Sequence, residues 1–265
     1  MSEILRAEQL SMYFGGLKAV QNVDFTVQQG KIQGITGPNG AGKTTFFNMC
    51  SGIYKPTIGR IFFDGEDITG QSPETICRKG LARTFQSTQL FRYMTVLENV
   101  KIGCHIGTHG NLFDSILHTK RYREDERYVQ EHSAQIIHEA GLGQYMDQMA
   151  GNLAYGIQRR VEITRALATD PKLLLLDEPA AGMNPNETRQ LMEFILTLKD
   201  RGYTILLIEH DMKFVMNCCD HIMVLNFGKK LCEGTPAQVR ENREVQEAYF
   251  GSGVLMEEVR NDAEN

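Results

Sequence analysis

Gly37-Pro38-Asn39-Gly40-Ala41-Gly42-Lys43-Thr44 fits the pattern G-x-x-x-x-G-K-[ST], whose residue types together make a cradle for nucleotide phosphates. The glycines let the backbone close around phosphate oxygens with successive N–H groups turned inward, and a helix starting at once adds partial positive charge. In that chemistry Lys43 reaches the β- and γ-phosphates, and Thr44, followed by Thr45, offers its hydroxyl to Mg2+. The cradle works only between a strand and a helix. Ile32 and Ile35 with small residues between them read as the strand, and Thr44-Thr45-Phe46-Phe47-Asn48-Met49 reads as the helix.

Further residues along the chain fit the same chemistry. Leu173-Leu174-Leu175-Leu176 is an apolar strand that ends in adjacent carboxylates, Asp177 and Glu178, before Pro179. A buried strand delivers Asp177 to the sheet edge, where it can hold Mg2+ directly or through water, and leaves Glu178 free to polarise an attacking water. By itself this reads first as an acidic loop start, and the phosphate cradle upstream reverses the preference in favour of the chemical reading. His210 follows the strand Ile205–Glu209, so it reaches the same carboxyl-terminal edge and the γ-phosphate position, although a lone His at a strand end is commonly structural. Gln86, in Arg83-Thr84-Phe85-Gln86, is alone an ordinary polar loop residue. Phe14, with Tyr13 beside it, precedes Gly15-Gly16, and an aromatic before a glycine pair is commonly a strand-end core residue.

The elements that must position these residues are legible as two blocks. Leu5–Leu10, Val20–Val27, Lys31–Thr36 and Ile58–Asp64 read as strands, the last running into a turn at Asp64-Gly65-Glu66-Asp67. From Lys172 onward, 173–177, Tyr203–Glu209 and His221–Leu225 are continuous apolar runs, the pattern of a parallel sheet buried on both faces. Helices are expected at Glu187–Arg201 and Met212–Cys219. Between the blocks, about Ser87 to Asn152, the chain is helix-rich, with apolar residues at helical spacing over Asp125–Ala140. The chain thus divides into a nucleotide-binding core, 1–86 and 153–250, a helical insertion, 87–152, and an acidic tail, 251–265, expected to fray. The fold class is α/β: a mixed sheet flanked by helices, with an antiparallel β-subdomain and an inserted helical subdomain.

Composition excludes several classes. The 265 residues are 42% hydrophobic, ordinary for a chain with a real core, and the net charge of −5 gives no basic excess for gripping nucleic acid. Lys120-Arg121-Tyr122-Arg123 is followed by Glu124-Asp125-Glu126, a mixed-sign solvated face. Cys50, Cys77, Cys104, Cys218, Cys219 and Cys232 form no C-x-x-C pair, which suits reduced thiols. Cys104, His105 and His109 match no common metal spacing. The start lacks a basic then apolar leader, and no apolar run approaches the ~18 residues needed to span a bilayer. A membrane role must come through a partner.

The order of these motifs resembles the ATP-binding cassette ATPases: a P-loop, a glutamine loop at Gln86, a signature at Leu153-Ala154-Tyr155-Gly156-Ile157-Gln158, the acidic pair Asp177-Glu178, and a switch histidine at His210. The resemblance spans about residues 5 to 250. It departs at the signature, where the usual Leu-Ser-Gly-Gly-Gln is Leu153-Ala154-Tyr155-Gly156-Ile157, so the serine hydroxyl and the glutamine are missing. Gly156 and the start of the following helix, expected over Gln158–Ala168, keep backbone N–H groups and dipole for a γ-phosphate. Phe14-Gly15-Gly16-Leu17-Lys18-Ala19-Val20, Arg83–Gln86, 152–156, Ala180-Ala181-Gly182-Met183-Asn184-Pro185 and Ile208-Glu209-His210-Asp211-Met212-Lys213 look like the larger ATPase of branched-chain amino acid importers. An insertion around His105–Arg127 and Asn184 in place of the usual Asp fit that group too.

What the resemblance implies is an ATPase using ATP and Mg2+. Gly37, Pro38, Asn39, Gly40, Ala41, Gly42, Lys43, Thr44 and Thr45, with Tyr13 or Phe14, hold the nucleotide of one subunit. Leu153, Ala154, Tyr155 and Gly156 complete the site of a second ATPase, a paralogue or another copy. Thr44, Gln86 and Asp177 hold the metal, and Glu178, His210 and Gln86 serve hydrolysis. Implied partners are that second ATPase, two membrane-spanning permeases docked on the helical insertion, and indirectly an extracytoplasmic substrate-binding protein. The protein is then expected in the cytoplasm, peripheral on the inner face of the cytoplasmic membrane, with no nucleic acid. Urea and short-amide importers carry similar ATPases. A soluble iron–sulfur assembly ATPase would not need the extended insertion, a chromosome-maintenance ATPase would need coiled coil or zinc cysteines, and a P-loop kinase would not need the signature helix or His210.

Overall fold

The computed structural model describes residues 2–104 and 120–250. The tail expected over 251–265, residues 105–119 of the expected insertion, and with them His105 and His109, lie outside the described residues. Two compact units are resolved, one built from the chain up to Ile76 and again from Lys199 onward, the other from Cys77–Leu198.

In the first unit, strands β1 (Glu3–Phe14), β2 (Leu17–Gln28), β4 (Ile58–Phe63) and β5 (Glu66–Asp67) form an antiparallel sheet in the order β2-β1-β4-β5. Phe14 faces Leu17 across a two-residue connection, where Gly15 adopts φ 57°. Of the expected turn Asp64-Gly65-Glu66-Asp67 only Asp64–Gly65 is turn, and Glu66–Asp67 instead form a short strand that pairs back on Phe62–Phe63.

A second set of strands in this unit runs β10-β9-β3-β8, with β3 at Ile32–Thr36, β8 at Ile205–Ile208, β9 at His221–Asn226 and β10 at Lys229–Gly234. All of β3 and β8 is buried, and β3 runs parallel to both β8 and β9. Continuous apolar runs suit strands covered on both faces. Gly34 lies mid-strand because the helix Met212–Cys218 packs there: a Cβ would stand 2.7 Å from Cys219 Sγ. The β10 strand, Lys-Lys-Leu-Cys-Glu-Gly, escaped sequence reading because it pairs only with β9, and edge strands carry polar residues.

In the second unit, β6 (Leu81–Arg83) pairs in parallel with the fully buried β7 (Leu173–Asp177). Helices span Val96–Cys104, Lys120–Glu139 and Tyr155–Leu167, and a further helix, Pro185–Asp200, runs through its end. Three residues of β6 are too few to show a period. The Tyr155–Leu167 helix starts three residues before the expected Gln158. Its N-cap is Ala154, which has no side-chain acceptor and so leaves no capping signal in the sequence.

Candidate active site

The phosphate loop joins β3 to the helix Lys43–Cys50. Gly42, the N-cap, has φ 102°, and a Cβ there would lie 2.4 Å from the Ala19 carbonyl oxygen, so only glycine fits. A Cβ on Gly40 would meet nothing within 4 Å, which leaves open space beside the loop. The loop is braced from outside by the β9–β10 turn, where Gly228 N–H donates to the Ala41 carbonyl (2.9 Å). Phe25 of β2 meets Phe46 edge to face at 5.5 Å and anchors the helix. The Lys43 side chain is buried, and its ammonium donates to the carbonyls of Gly37 (2.6 Å) and Pro38 (3.0 Å). Thr44 is exposed on the first helical turn, Thr45 half-buried beside it, and Asn39 exposed at the tip.

Because β3 and β8 are parallel, the loop and His210 leave the same strand ends of this unit; Glu209 N–H donates to the Ile35 carbonyl. Glu209 is fully buried, and His210 projects outward with 58% of its side chain exposed, Nδ1 3.6 Å from Glu209 Oε2. Asp211 caps the next helix by accepting from the amides of Lys213 and Phe214. Phe14 is exposed at the end of β1 and meets Tyr54 edge to face at 5.4 Å, while half-buried Tyr13 lies under the Lys18 ammonium. Of the two rings, Phe14 is the more open for stacking.

In the second unit, β6 and β7 end side by side, so Gln86 beyond one meets Glu178 beyond the other. Gln86 Nε2 donates to Glu178 Oε2 at 2.7 Å. Asp177 is nearly buried, and its carboxylate accepts from Arg83 Nη2 at 2.6 Å. Glu178 has φ 43°, a left-handed conformation for a non-glycine residue placed directly before proline. Sequence reasoning placed Asp177 and Glu178 together at the end of the strand, and joined Gln86 to them only through the family pattern.

The signature residues Leu153 and Ala154 lead into the Tyr155–Leu167 helix, so Gly156 lies within its first turn. Its N–H is directed at Glu187 Oε1, a long contact of 3.4 Å. The other Glu187 oxygen accepts from Asn184 N–H, and the Asn184 side chain accepts from the amides of Asn186 and Glu187. Asn184 and Glu187 therefore form a reciprocal cap on the helix Pro185–Asp200. Tyr155 Oη donates to the Ala181 carbonyl at 3.2 Å. The Gly156 amide thus faces a carboxylate that caps the neighbouring helix.

The sequence profile described as ABC transporter matches residues 20–181, and one described as branched-chain amino acid ATP-binding cassette transporter matches residues 229–254. The chain is 46% identical to the high-affinity branched-chain amino acid transport ATP-binding protein BraF of Pseudomonas aeruginosa, and 45% identical to LivG of Escherichia coli K12, in each case over 94% of this chain and 98% of the relative. This chain belongs to the ABC transporter ATP-binding proteins, of the LivG/BraF type. A solved ATP-binding cassette in its ADP conformation superposes with a TM-score of 0.82 at 37% identity, covering 95% of this chain and 100% of that one. The cassette fold, a mixed parallel sheet with helices and an antiparallel subdomain, is as the sequence implied, and so is its class as a transporter ATPase. No described helix of the cassette is long and apolar enough to cross a membrane.

The residues fit the Mg2+ that travels with a nucleotide. Mg2+ bound through phosphates needs one or two further oxygens from protein, and each unit taken by itself carries a hard oxygen donor of that kind, the exposed Thr44 hydroxyl in the first and the Asp177 carboxylate, one oxygen of which is held by Arg83, in the second.

Four residues around the candidate site were missed from sequence. Arg83, quoted only as part of a string, pairs with Asp177. Arg159 and Glu162 form a fully buried ion pair on the signature helix; their i,i+3 spacing was visible, their burial was not. Tyr249, in the C-terminal segment, shares a 2.9 Å hydrogen bond with Thr36, the last residue of β3. Burial pushes the Tyr249 hydroxyl up to about 12, so it stays protonated as a brace for the strand that feeds the phosphate loop.

Proposed function

We propose that this chain hydrolyses MgATP to power uptake of branched-chain amino acids through two membrane-spanning subunits. The observation that carries the cargo is likeness along nearly the whole chain to BraF and LivG, joined by the branched-chain profile at 229–254. In this reading Gly37–Thr45 grip the triphosphate through backbone amides and Lys43, Phe14 or Tyr13 stacks on adenine, and Thr44, Asp177 and Gln86 hold Mg2+. The ion, when bound, neutralises phosphate charge. Glu178 polarises a water whose oxygen attacks the γ-phosphorus as the bond to the bridging oxygen breaks, releasing ADP and phosphate; His210 holds the γ-phosphate. The 2.7 Å contact between Gln86 and Glu178 supports a shared role for these two.

A second cassette, paralogue or copy, contributes its signature to this nucleotide, and this chain's Leu153–Gly156 serves the other. The docking face for the membrane subunits lies in the helical region after Gln86, where Phe91, Tyr93, Met94 and Met149 are exposed. Purification from the native host in mild detergent tests the reading. Two membrane-spanning proteins and a second cassette are expected to accompany the chain, and a strain lacking it should lose leucine uptake. Soluble cluster-assembly partners with unchanged uptake would overturn it.

A further inference from the structure

Arg159 lies fully buried on the second turn of the helix Tyr155–Leu167. Its Nε donates to the Pro179 carbonyl (3.1 Å), Nη1 to the Phe85 carbonyl (2.6 Å) and Glu162 Oε2 (2.7 Å), and Nη2 to the carbonyls of Asp177 and Glu178 (3.0 Å each). A guanidinium has five N–H donors in a rigid fork, and each has a partner here. The remaining oxygen of Glu162 accepts from Gln89 N–H (3.1 Å). One ion pair therefore grips Phe85 and Gln89, which flank Gln86, and the three residues 177–179 that carry Asp177 and Glu178.

A buried ion pair is a poor choice for stability alone, because an apolar pair of the same volume avoids the desolvation of two charges. Four of the Arg159 partners are backbone carbonyls just past β6 or at and just past the end of β7, where the strand ladder no longer supplies donors. The contact with the Glu178 carbonyl acts on the residue whose backbone is left-handed, a conformation that persists only when its surroundings enforce it. Both charged residues stand on the helix whose N-terminus is the signature.

We propose that Arg159 and Glu162 are positioning residues for hydrolysis, setting the backbone of Glu178 and both flanks of Gln86 from the signature helix, so that engagement of the helix N-terminus is felt at the water-polarising carboxylate. The inference rests on the roles given above to Glu178 and Gln86. It concerns only the placing of groups: neither residue touches nucleotide.

The test uses the detergent-purified transporter complex with Arg159→Met/Glu162→Leu, Arg159→Lys and, as a control on the underlying reading, Glu178→Gln. The double variant keeps volume and leaves no lone buried charge. Its kcat is expected to fall about 10²-fold, as for other small misplacements of catalytic groups, while KM for ATP stays within about twofold, since the phosphate grip is untouched. Arg159→Lys keeps the charge beside Glu162 but not the fork, and should fall between wild type and the double variant. A folded double variant with wild-type kcat overturns the proposal, as does a parallel loss of ATP affinity and thermal midpoint, the mark of a structural role alone. If the double variant does not fold, Arg159→Lys decides: wild-type kcat overturns the proposal, reduced kcat at unchanged KM upholds it. Full hydrolysis by Glu178→Gln would instead remove the reading beneath it, whatever Arg159 does.

Discussion

At Glu178 the geometry of a single residue decides what substitution should do. Its carboxylate is held by Gln86 and its carbonyl by Arg159, so Glu178→Gln keeps volume and hydrogen bonding while removing the basic oxygen. Losing a positioned base costs about 10²–10⁴ in rate. The expected variant binds ATP as wild type does yet releases phosphate slower by that factor, as calorimetry beside steady-state phosphate release would show; unchanged turnover would falsify the role. Lys43→Ala acts one step earlier. The Lys43 ammonium is already clasped by the carbonyls of Gly37 and Pro38, so its removal takes away a tie across the loop and, in the proposed reading, a phosphate contact as well. No ATP binding is expected at concentrations that saturate the wild type. At this scale the phosphate loop was legible because each of the four positions its pattern fixes, Gly37, Gly42, Lys43 and Thr44, has a conformational or chemical reason. Arg159 and Glu162 were not, since a charged pair three apart on a helix reads as solvated until burial is known.

Among the elements, the apolar strands 173–177 and 205–208 were read from continuous runs, and β6 and β10 were missed for opposite reasons, one too short and the other too polar. Asp220 shows what holds such strands in place. Standing before β9, it accepts from Ile32 N–H at the start of β3 (2.9 Å) and from Lys199 Nζ (2.6 Å), with Lys31 at 3.8 Å. Burial pushes its carboxyl upward, but the Lys199 and Ile32 hydrogen bonds and the two lysine charges outweigh this, and the net shift is below the ordinary carboxylate value. A group lowered on folding contributes stability above its unfolded pKa and loses that contribution as pH falls through the folded one. Asp220→Ala is therefore expected to lose about 1.5–3 kcal/mol at pH 7, the scale of hydrogen bonds to a charged group. The gap should narrow as pH falls through the carboxylate range and below. Denaturant unfolding at neutral and acid pH measures it, and a gap independent of pH would mean the charge is not what matters.

For the molecule as a working part of a transporter, hydrolysis is useful only if the cassette grips what it moves. Beyond Gln86 the chain turns at Phe91, which is clamped by buried Asn99: the Phe91 N–H donates to Asn99 Oδ1 (2.9 Å) and Asn99 Nδ2 donates back to the Phe91 carbonyl (3.0 Å). The neighbouring backbone is pinned to 149–151, with Ala150 N–H on the Met94 carbonyl and Gly151 N–H on the Arg92 carbonyl. A rigid backbone here holds apolar side chains outward: Tyr93 is 96% exposed, Phe91 51% and Met149 46%. Rigid, exposed aromatic and methionine side chains match the composition of interface cores more than that of free surface. Replacing Tyr93, which is almost wholly exposed, by Ser removes no buried contact, so ATP binding and the thermal midpoint should stay near wild type, while membrane-spanning subunits should be depleted from the purified complex. Undiminished co-purification, with uptake intact, would place the docking face elsewhere on the cassette and leave this surface as an ordinary exposed edge.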